Sequence, residues 1–206
     1  MYAQPAFVET DPDVIAAMVD RVGLAVLVTH GPEGLCASHL PVTREGDRFI
    51  THLARANPHR ARAGPGQGLL IFPGPDAYIS PGWYPSKAEH GRAVPTWNYE
   101  AVHVHGELAW FEDRDRLLGV VDRLSRRHEA GRPQPWSVEE MPADYRERLL
   151  GGIVGLEIRP TRVEALRKLS QNRSAADQAG VAAGLSAEAR PDAQAMAALM
   201  RAGGAG

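Results

Sequence analysis

The sequence predicts a mainly β fold, a small barrel with flanking helices (α+β), and three observations support this. Short apolar runs typical of buried strands follow one another closely, at 24–30, 34–42 and 48–54. The turn sequence HGPEG joins the first two runs, as in a β-hairpin. The strands do not alternate with long helices, which argues against a doubly wound parallel sheet.

The N-terminal half adds two helical segments around these strands. Residues 11–21 predict a short amphipathic helix with Asp11 as N-cap and Pro12 as its first residue. A helical turn follows the third strand, and the sequence GPGQG at 64–68 is expected to end it. A strand is predicted at 69–74 and a further short one at 78–80. The Pro- and Gly-rich segment 81–95 is predicted to be a functional or mobile loop.

The C-terminal half begins with a long alternating strand at 97–111. Asp113 is the predicted N-cap of a helix reaching residue 128, and a second helix is expected at 143–150. The last barrel strand is predicted at 153–166, followed by an Ala-rich helix at 174–185. We therefore expect one domain over residues 1–185. Residues 186–206 are expected to be a helical or disordered tail, loosely held and ending in disorder.

Composition limits the function classes. The chain has 206 residues, 44% of them hydrophobic, which is enough for a core. A formal charge of -2 gives no electrostatic reason to expect a nucleic-acid-binding face. The single cysteine excludes an internal disulfide and fits a reducing compartment. No targeting segment and no apolar run of about 20 residues is visible, so a cytoplasmic protein without a membrane span is expected.

The segment from residue 76 to 106, DAYISPGWYPSKAEHGRAVPTWNYEAVHVHG, is the richest in recognition chemistry. It contains two of the four tryptophans, three of the five tyrosines and one of only two lysines. Aromatic faces stack on planar ligands, while neighbouring hydroxyl and amide groups orient them. The segment therefore predicts a binding surface. An aromatic loop that seals the core or a subunit interface is the alternative, and composition alone leaves both open.

The sequence HLARANPHR predicts anion binding where a strand ends and a helix begins. Asn57 is the expected N-cap and Pro58 the first helical residue. A helix N-terminus offers free amide donors, and Arg55 and Arg60 add full charges within one turn. An ordinary capped helix with solvated arginines is the alternative.

Four motifs in register resemble one known family. They are HLARANP (52–58), DAYISPGWYPSK (76–87), VPTWNYEAVHVHG (94–106) and KLSQNR (168–173). In order and spacing, residues 1–185 resemble the PaiB family of FMN-binding negative transcriptional regulators. The resemblance implies an FMN-binding split barrel, related to pyridoxamine phosphate oxidases and flavin reductases, that works as a homodimer. It also implies that the segment after the third strand holds the FMN phosphate.

The motifs place the candidate cofactor contacts in four stretches. Trp97 is a candidate to stack on the isoalloxazine ring, Asn98 to pair with its polar edge, and Lys87 and Lys168 to neutralise the phosphate or the pyrimidine side. A core role for Trp97 and a turn-capping role for Asn98 remain open. The full set of predicted FMN contacts is His52, Ala54, Arg55, Asn57, Arg60, Lys87, Thr96, Trp97, Asn98, Lys168 and Gln171.

A metal site is not predicted. His103 and His105 lie two apart on a predicted strand and so share a face, but no third ligand stands at a recognisable spacing. No hydrolase, P-loop, Rossmann or helix-turn-helix signature is present.

Two functions follow from the sequence. The first is an FMN-binding negative transcriptional regulator of PaiB type. Such a regulator acts on DNA either directly or indirectly, and the sequence contains no recognisable DNA-binding motif. The second is an FMN-dependent oxidoreductase or flavin reductase acting on a small molecule. Catalytic residues are not assigned, and the sequence identifies neither a substrate nor a regulated gene.

Overall fold

The computed structural model describes residues 1–63 and 66–203. The strands are β1 (Val8–Glu9), β2 (Leu24–Gly31), β3 (Gly34–Glu45), β4 (Arg48–Ala54), β5 (Gln67–Ile79), β6 (Thr96–Phe111) and β7 (Ile153–Lys168). The α-helices are α1 (Pro12–Val22), α2 (His59–Arg62), α3 (Ser86–His90), α4 (Arg114–Glu129), α5 (Ala143–Gly151), α6 (Ala175–Ala187) and α7 (Pro191–Gly203). Short 3-10 helices lie at Pro5–Phe7, Pro81–Trp83 and Val138–Glu140.

The strands pair in the order β1-β7-β4-β3-β2-β5-β6, and β6 pairs in addition with β7. Six strands therefore form a closed ring, to which β1 is added beside β7. The β2–β3, β2–β5, β3–β4, β4–β7 and β1–β7 pairs are all antiparallel. The predicted mainly β barrel with flanking helices is confirmed.

Strand β5 is a single strand of 13 residues, where the sequence predicted two separate runs. Its two prolines, Pro73 and Pro75, stand two apart, so both missing N–H groups face the same side of the strand. The defined pairing with β2 ends at Ile71, before the first of them. Both prolines lie beyond the defined pairing with β2, so their missing N–H groups remove no hydrogen bond of that ladder.

The chain divides into two compact units. Unit 1 comprises Met1–Met18, Pro73–Val102 and the chain from Glu164 onward, and unit 2 comprises Val19–Phe72 and His103–Val163. In unit 2, helix α4 packs on the sheet through Val120 and Leu124, which are buried against Ile50. Asp113 caps this helix as predicted, since its carboxylate accepts a 2.8 Å hydrogen bond from the N–H of Arg116.

Unit 1 contains its own hydrophobic core, and this core corrects two expectations. The chain after residue 185 continues into α7, where Met196 is fully buried and Met200 nearly so, against helix α6. The tail is therefore packed rather than loosely held. The segment 81–95 contains a 3-10 helix and α3, and Tyr84 within it is only 3% exposed. Part of the segment predicted to be a functional or mobile loop thus belongs to the core.

Two expectations fall wholly or partly on residues that the structure does not describe. The helix break predicted at 64–68 includes Gly64 and Pro65, and the disorder predicted at the end of the tail concerns residues 204–206.

Candidate functional site

Unit 1 carries a polar pocket of about 190 Å³ between its N-terminal segment, the start of β6 and the turn after β7. Most of its surface is polar, and none of its described lining residues is acidic. The lining residues are Gln4, Phe7, Tyr84, Val94, Pro95, Thr96, Asn98, Lys168, Ser170, Asn172 and Arg173. We call this the unit 1 pocket.

The cations of the unit 1 pocket are Lys168 and Arg173. The ammonium of Lys168 donates a 2.7 Å hydrogen bond to the hydroxyl of Thr96 and lies 5.7 Å from the ring centre of Phe7. Burial lowers the pKa of Lys168, and repulsion by Arg173 lowers it further. Two positive groups are thus held together in a partly buried place without a carboxylate on the pocket wall. An anionic or electron-rich group bound there relieves this repulsion.

Asn98 shapes the floor of the same pocket. Its side chain is fully buried, and its amide nitrogen donates a 2.9 Å hydrogen bond to the hydroxyl of Ser170, which in turn donates to the amide oxygen at 3.2 Å. Ser170 is a non-glycine residue with φ of 65°, a backbone conformation that costs free energy and often occurs at binding sites. Asn98 therefore fixes the turn that follows β7, and both of its amide atoms are used for this.

Tyr84 lines the pocket with a side chain that is nearly completely buried. Its ring packs in the core of unit 1, with the guanidinium of Arg173 4.8 Å from the ring centre. Its hydroxyl is buried and has no hydrogen-bond partner among the described residues. A buried hydroxyl without a partner costs about 1–3 kcal/mol, so it marks a place where a ligand atom can be bound.

Three further predicted contacts in unit 1 do not line this pocket. Trp97 is 47% exposed, and its ring centre lies 6.2 Å from that of Tyr78 in an edge-to-face arrangement. Neighbouring residues of a strand face opposite sides, so Trp97 lies on the other side of β6 from Thr96 and Asn98. Trp97 therefore does not line the unit 1 pocket with Thr96 and Asn98, and its predicted stacking on the isoalloxazine ring remains a prediction. Gln171 holds its own turn, accepting from the N–H of Leu169 at 2.7 Å.

Lys87 lies exposed on α3 and is not among the residues that line the unit 1 pocket. Its predicted contact with the flavin remains a prediction.

In unit 2, the segment after β4 forms a small hydrogen-bonded cluster. Helix α2 begins at His59, one residue later than predicted, and the side-chain oxygen of Asn57 accepts the N–H of His59 at 2.9 Å. The buried ring of His59 lies between Ser38, 2.8 Å from Nδ1, and Thr29, 3.0 Å from Nε2. Burial lowers the pKa of His59. Asn57 acts as a cap, as expected, although the cap leads into a helix of only four residues.

The two arginines of this segment share one carboxylate. Arg55 contacts Glu112 at 2.7 Å and also donates to the carbonyl oxygens of Gly151 and Ile153, while Arg60 contacts the other oxygen of Glu112. Hydrogen bonds from Arg60 and then Arg55 lower the pKa of Glu112. Two guanidinium groups against one carboxylate leave a net positive charge. The predicted phosphate contact at this place remains a prediction.

The remaining two predicted contacts lie on β4. Ala54 is exposed and pairs with Ile153 of β7. His52 is partly buried and lines an apolar cavity of unit 2, and this burial lowers its pKa. Sequence reasoning had no means to assign it to that cavity, because the other walls come from distant helices.

Sequence reasoning also passed over four residues of these sites, Tyr84, Ser170, Arg173 and Glu112. The first three stand inside the recognised motifs, so their positions were marked but their roles were not. Glu112 gives no local signal, since its partners lie more than 50 residues away.

Across residues 1–63 and 66–203, no cluster of three or more His, Cys, Asp or Glu side chains is arranged to hold a metal ion. His105 contacts the guanidinium of Arg162 at 2.9 Å. None of the helices in the described chain combines the length and hydropathy required to cross a bilayer.

Comparison with known proteins now adds to this geometry. Residues 1–162 match the model of a family described as "Putative FMN-binding domain". The chain is 34% identical over 205 residues to the protease synthase and sporulation protein PAI 2 of Bacillus subtilis, covering 97% of this chain and 96% of that protein.

Solved structures share the fold at low sequence identity. A conserved hypothetical protein of Mycobacterium tuberculosis, Rv2991, matches with a TM-score of 0.61 at 14% identity, over 84% of this chain and 94% of that one. The FAD and heme binding protein of Mycobacterium smegmatis matches with a TM-score of 0.59 at 15% identity, over 86% and 80%. The fold is thus a split barrel. From the match over residues 1–162 and the similarity to the Bacillus protein, the chain belongs to the PaiB-type family of FMN-binding domains, and FMN is its cofactor.

Proposed function

We propose that this protein is an FMN-binding negative regulator of gene expression that acts in the cytoplasm as a homodimer. The flavin would report the redox state of the cell, and repression would be the output. The protein that supports the regulatory part is the Bacillus relative, whose name refers to protease synthesis and sporulation. The observation that carries flavin binding is the cationic unit 1 pocket around Lys168.

The donor set of this pocket fits part of an FMN molecule. FMN presents a phosphate and the acceptor atoms of its pyrimidine edge, and the pocket offers the Lys168 ammonium, the Arg173 guanidinium and the unpartnered Tyr84 hydroxyl. Its volume of about 190 Å³ is below the roughly 300–1,000 Å³ of pockets that enclose a whole ligand. We therefore assign it to one end of the cofactor.

When bound, FMN supplies one- and two-electron redox chemistry. The contribution of the chain is electrostatic, because a cation beside the electron-rich edge of the ring favours the reduced form. Lys168 is suited to this role, since its position is fixed by Thr96.

The homodimer is proposed from the exposed aromatic pair Trp97 and Tyr78, each 47% exposed. Such pairs are enriched at subunit interfaces. Sedimentation equilibrium tests the proposal, and a monomer of 22.3 kDa at micromolar concentration would contradict it.

The regulatory proposal is tested by deleting the gene in its organism and comparing transcripts. We expect a set of transcripts to rise, and to return to the original level with the wild-type protein but not with Lys168→Met. Arg201→Met is the matched control, since Arg201 contacts Ser186 and is not among the residues that line the pocket. Unchanged transcripts in the deletion strain would refute the regulatory role.

A second measurement separates direct from indirect action. Direct repression predicts sequence-selective binding of the purified protein to the promoters of those transcripts, with affinity that falls as salt is raised. If the transcripts respond to the deletion while the promoters are not bound, regulation is indirect.

A further inference from the structure

Unit 2 contains an apolar cavity of about 250 Å³ beneath helices α4 and α5. Its walls are mainly hydrocarbon, with Leu118 and Val121 from α4 and Leu149 and Leu150 from α5. Two polar side chains also line it, His52 from β4 and Arg146 from α5. We call this the unit 2 cavity.

Both polar side chains carry a buried nitrogen atom without a hydrogen-bond partner. Among the described residues, neither Nδ1 of His52 nor Nε of Arg146 is paired. Buried polar atoms are nearly always hydrogen-bonded in folded proteins, and a charged donor left unpaired is especially unfavourable. These two atoms belong to residues that line one apolar cavity, where a polar group of a bound molecule would supply the missing partner.

The guanidinium of Arg146 also lacks a carboxylate partner in the described chain. Asp115, Asp122 and Glu139 share an adjoining depression with it, yet none forms an ion pair with Arg146, and Asp122 pairs with Arg126 at 2.8 Å. The positive charge of Arg146 at the cavity is therefore not neutralised by a paired acid. A negatively charged ligand group would supply the missing partner.

We infer that the unit 2 cavity binds a small monocarboxylic acid with an apolar chain. The hydrocarbon walls require an apolar body, and one guanidinium with one imidazole matches a single carboxylate. A phosphate dianion would need more positive charge, and a neutral hydrocarbon would leave both nitrogen atoms unpaired. At roughly 30 Å³ for each group of water size, about eight non-hydrogen atoms fill the cavity, the size of hexanoate.

The test uses FMN-saturated protein and hexanoate as the probe, with isothermal titration calorimetry as the readout. We expect hexanoate to bind with a Kd in the submillimolar range and 1-hexanol, which lacks the charge, to bind at least tenfold more weakly. Because the site is separate from the flavin, hexanoate is expected not to displace FMN. Failure to bind at millimolar concentration, or displacement of FMN by hexanoate, would overturn the inference.

Two variants locate the binding. Arg146→Met should weaken hexanoate binding at least tenfold, while Arg148→Met, on the same helix with its guanidinium 5.2 Å from the Tyr145 ring centre, should leave it within twofold of wild type. Val121→Phe fills the cavity without changing the charged group and should abolish hexanoate binding while FMN still binds. Wild-type affinity in either Arg146→Met or Val121→Phe would overturn the assignment. FMN binding and the melting temperature of each variant report whether it is folded.

Discussion

The ammonium of Lys168 donates a 2.7 Å hydrogen bond to the hydroxyl of Thr96. This bond joins the end of β7 to the start of β6 within unit 1 and leaves the lysine few alternative positions. A fixed cation costs less ordering entropy on binding than a free surface lysine, so it contributes more to the affinity for an anion.

The first prediction concerns this lysine. Lys168→Met removes the positive charge but keeps a long unbranched side chain. The free energy of FMN binding should therefore become less favourable by about 1.5–3 kcal/mol, the range for a hydrogen bond to a charged group. Quenching of flavin fluorescence during titration measures the Kd. Arg201→Met is the control and should bind like the wild type; equal affinity in Lys168→Met would remove the pocket from the flavin site.

The second prediction is a pH dependence of the same interaction. In the free protein, burial and then Arg173 hold the pKa of Lys168 below its usual value, whereas a bound anion favours the charged lysine and raises this pKa. Linkage then requires full affinity below the pKa of the free protein and a loss between the two pKa values as pH rises. Titrations at increasing alkaline pH should show this loss in the wild type. Lys168→Met should show only the titration of the flavin itself, and identical profiles would contradict the argument.

Lys168 and Thr96 could be proposed as FMN contacts from sequence because each stands in a short motif whose chemistry is visible, and those contacts stay predictions. The packing of unit 1 could not be predicted. Helix α6 is rich in alanine and glycine on all sides, so its sequence pattern does not show that the face with Val181 and Leu185 is buried. Met196 of α7 is buried against that face, so the packing of α7 could not be predicted from the sequence either.

The position of Trp97 shows a different limit. Its motif suggested that three consecutive residues act together, but strand geometry directs Trp97 away from its two neighbours. The difference arises from backbone geometry, which residue types describe only approximately.

The third prediction separates a binding role of Tyr84 from a structural one. Tyr84→Phe removes a buried hydroxyl that has no partner in the described chain, so the free energy of unfolding should stay the same or rise. FMN affinity should fall, by about 0.5–1.5 kcal/mol for one neutral hydrogen bond. Urea unfolding without flavin and flavin titration measure the two quantities. A loss of stability without a loss of affinity would show that the hydroxyl serves the fold.

The last prediction tests whether the segment after β4 holds the FMN phosphate. Arg55 and Arg60 both contact Glu112, so their charges are partly neutralised. If the phosphate binds these arginines, it competes with that carboxylate, and Glu112→Gln should increase FMN affinity, whereas Arg55→Ala should weaken it by about 1–3 kcal/mol.

Riboflavin, which lacks the phosphate, provides the control ligand because its affinity should respond to neither change. Asn57→Ala should lower both stability and FMN affinity, since the cap on the N–H of His59 is lost. If FMN and riboflavin respond alike to Glu112→Gln and Arg55→Ala, the phosphate is bound elsewhere, and Arg55 serves the fold through its bonds to the carbonyl oxygens of Gly151 and Ile153.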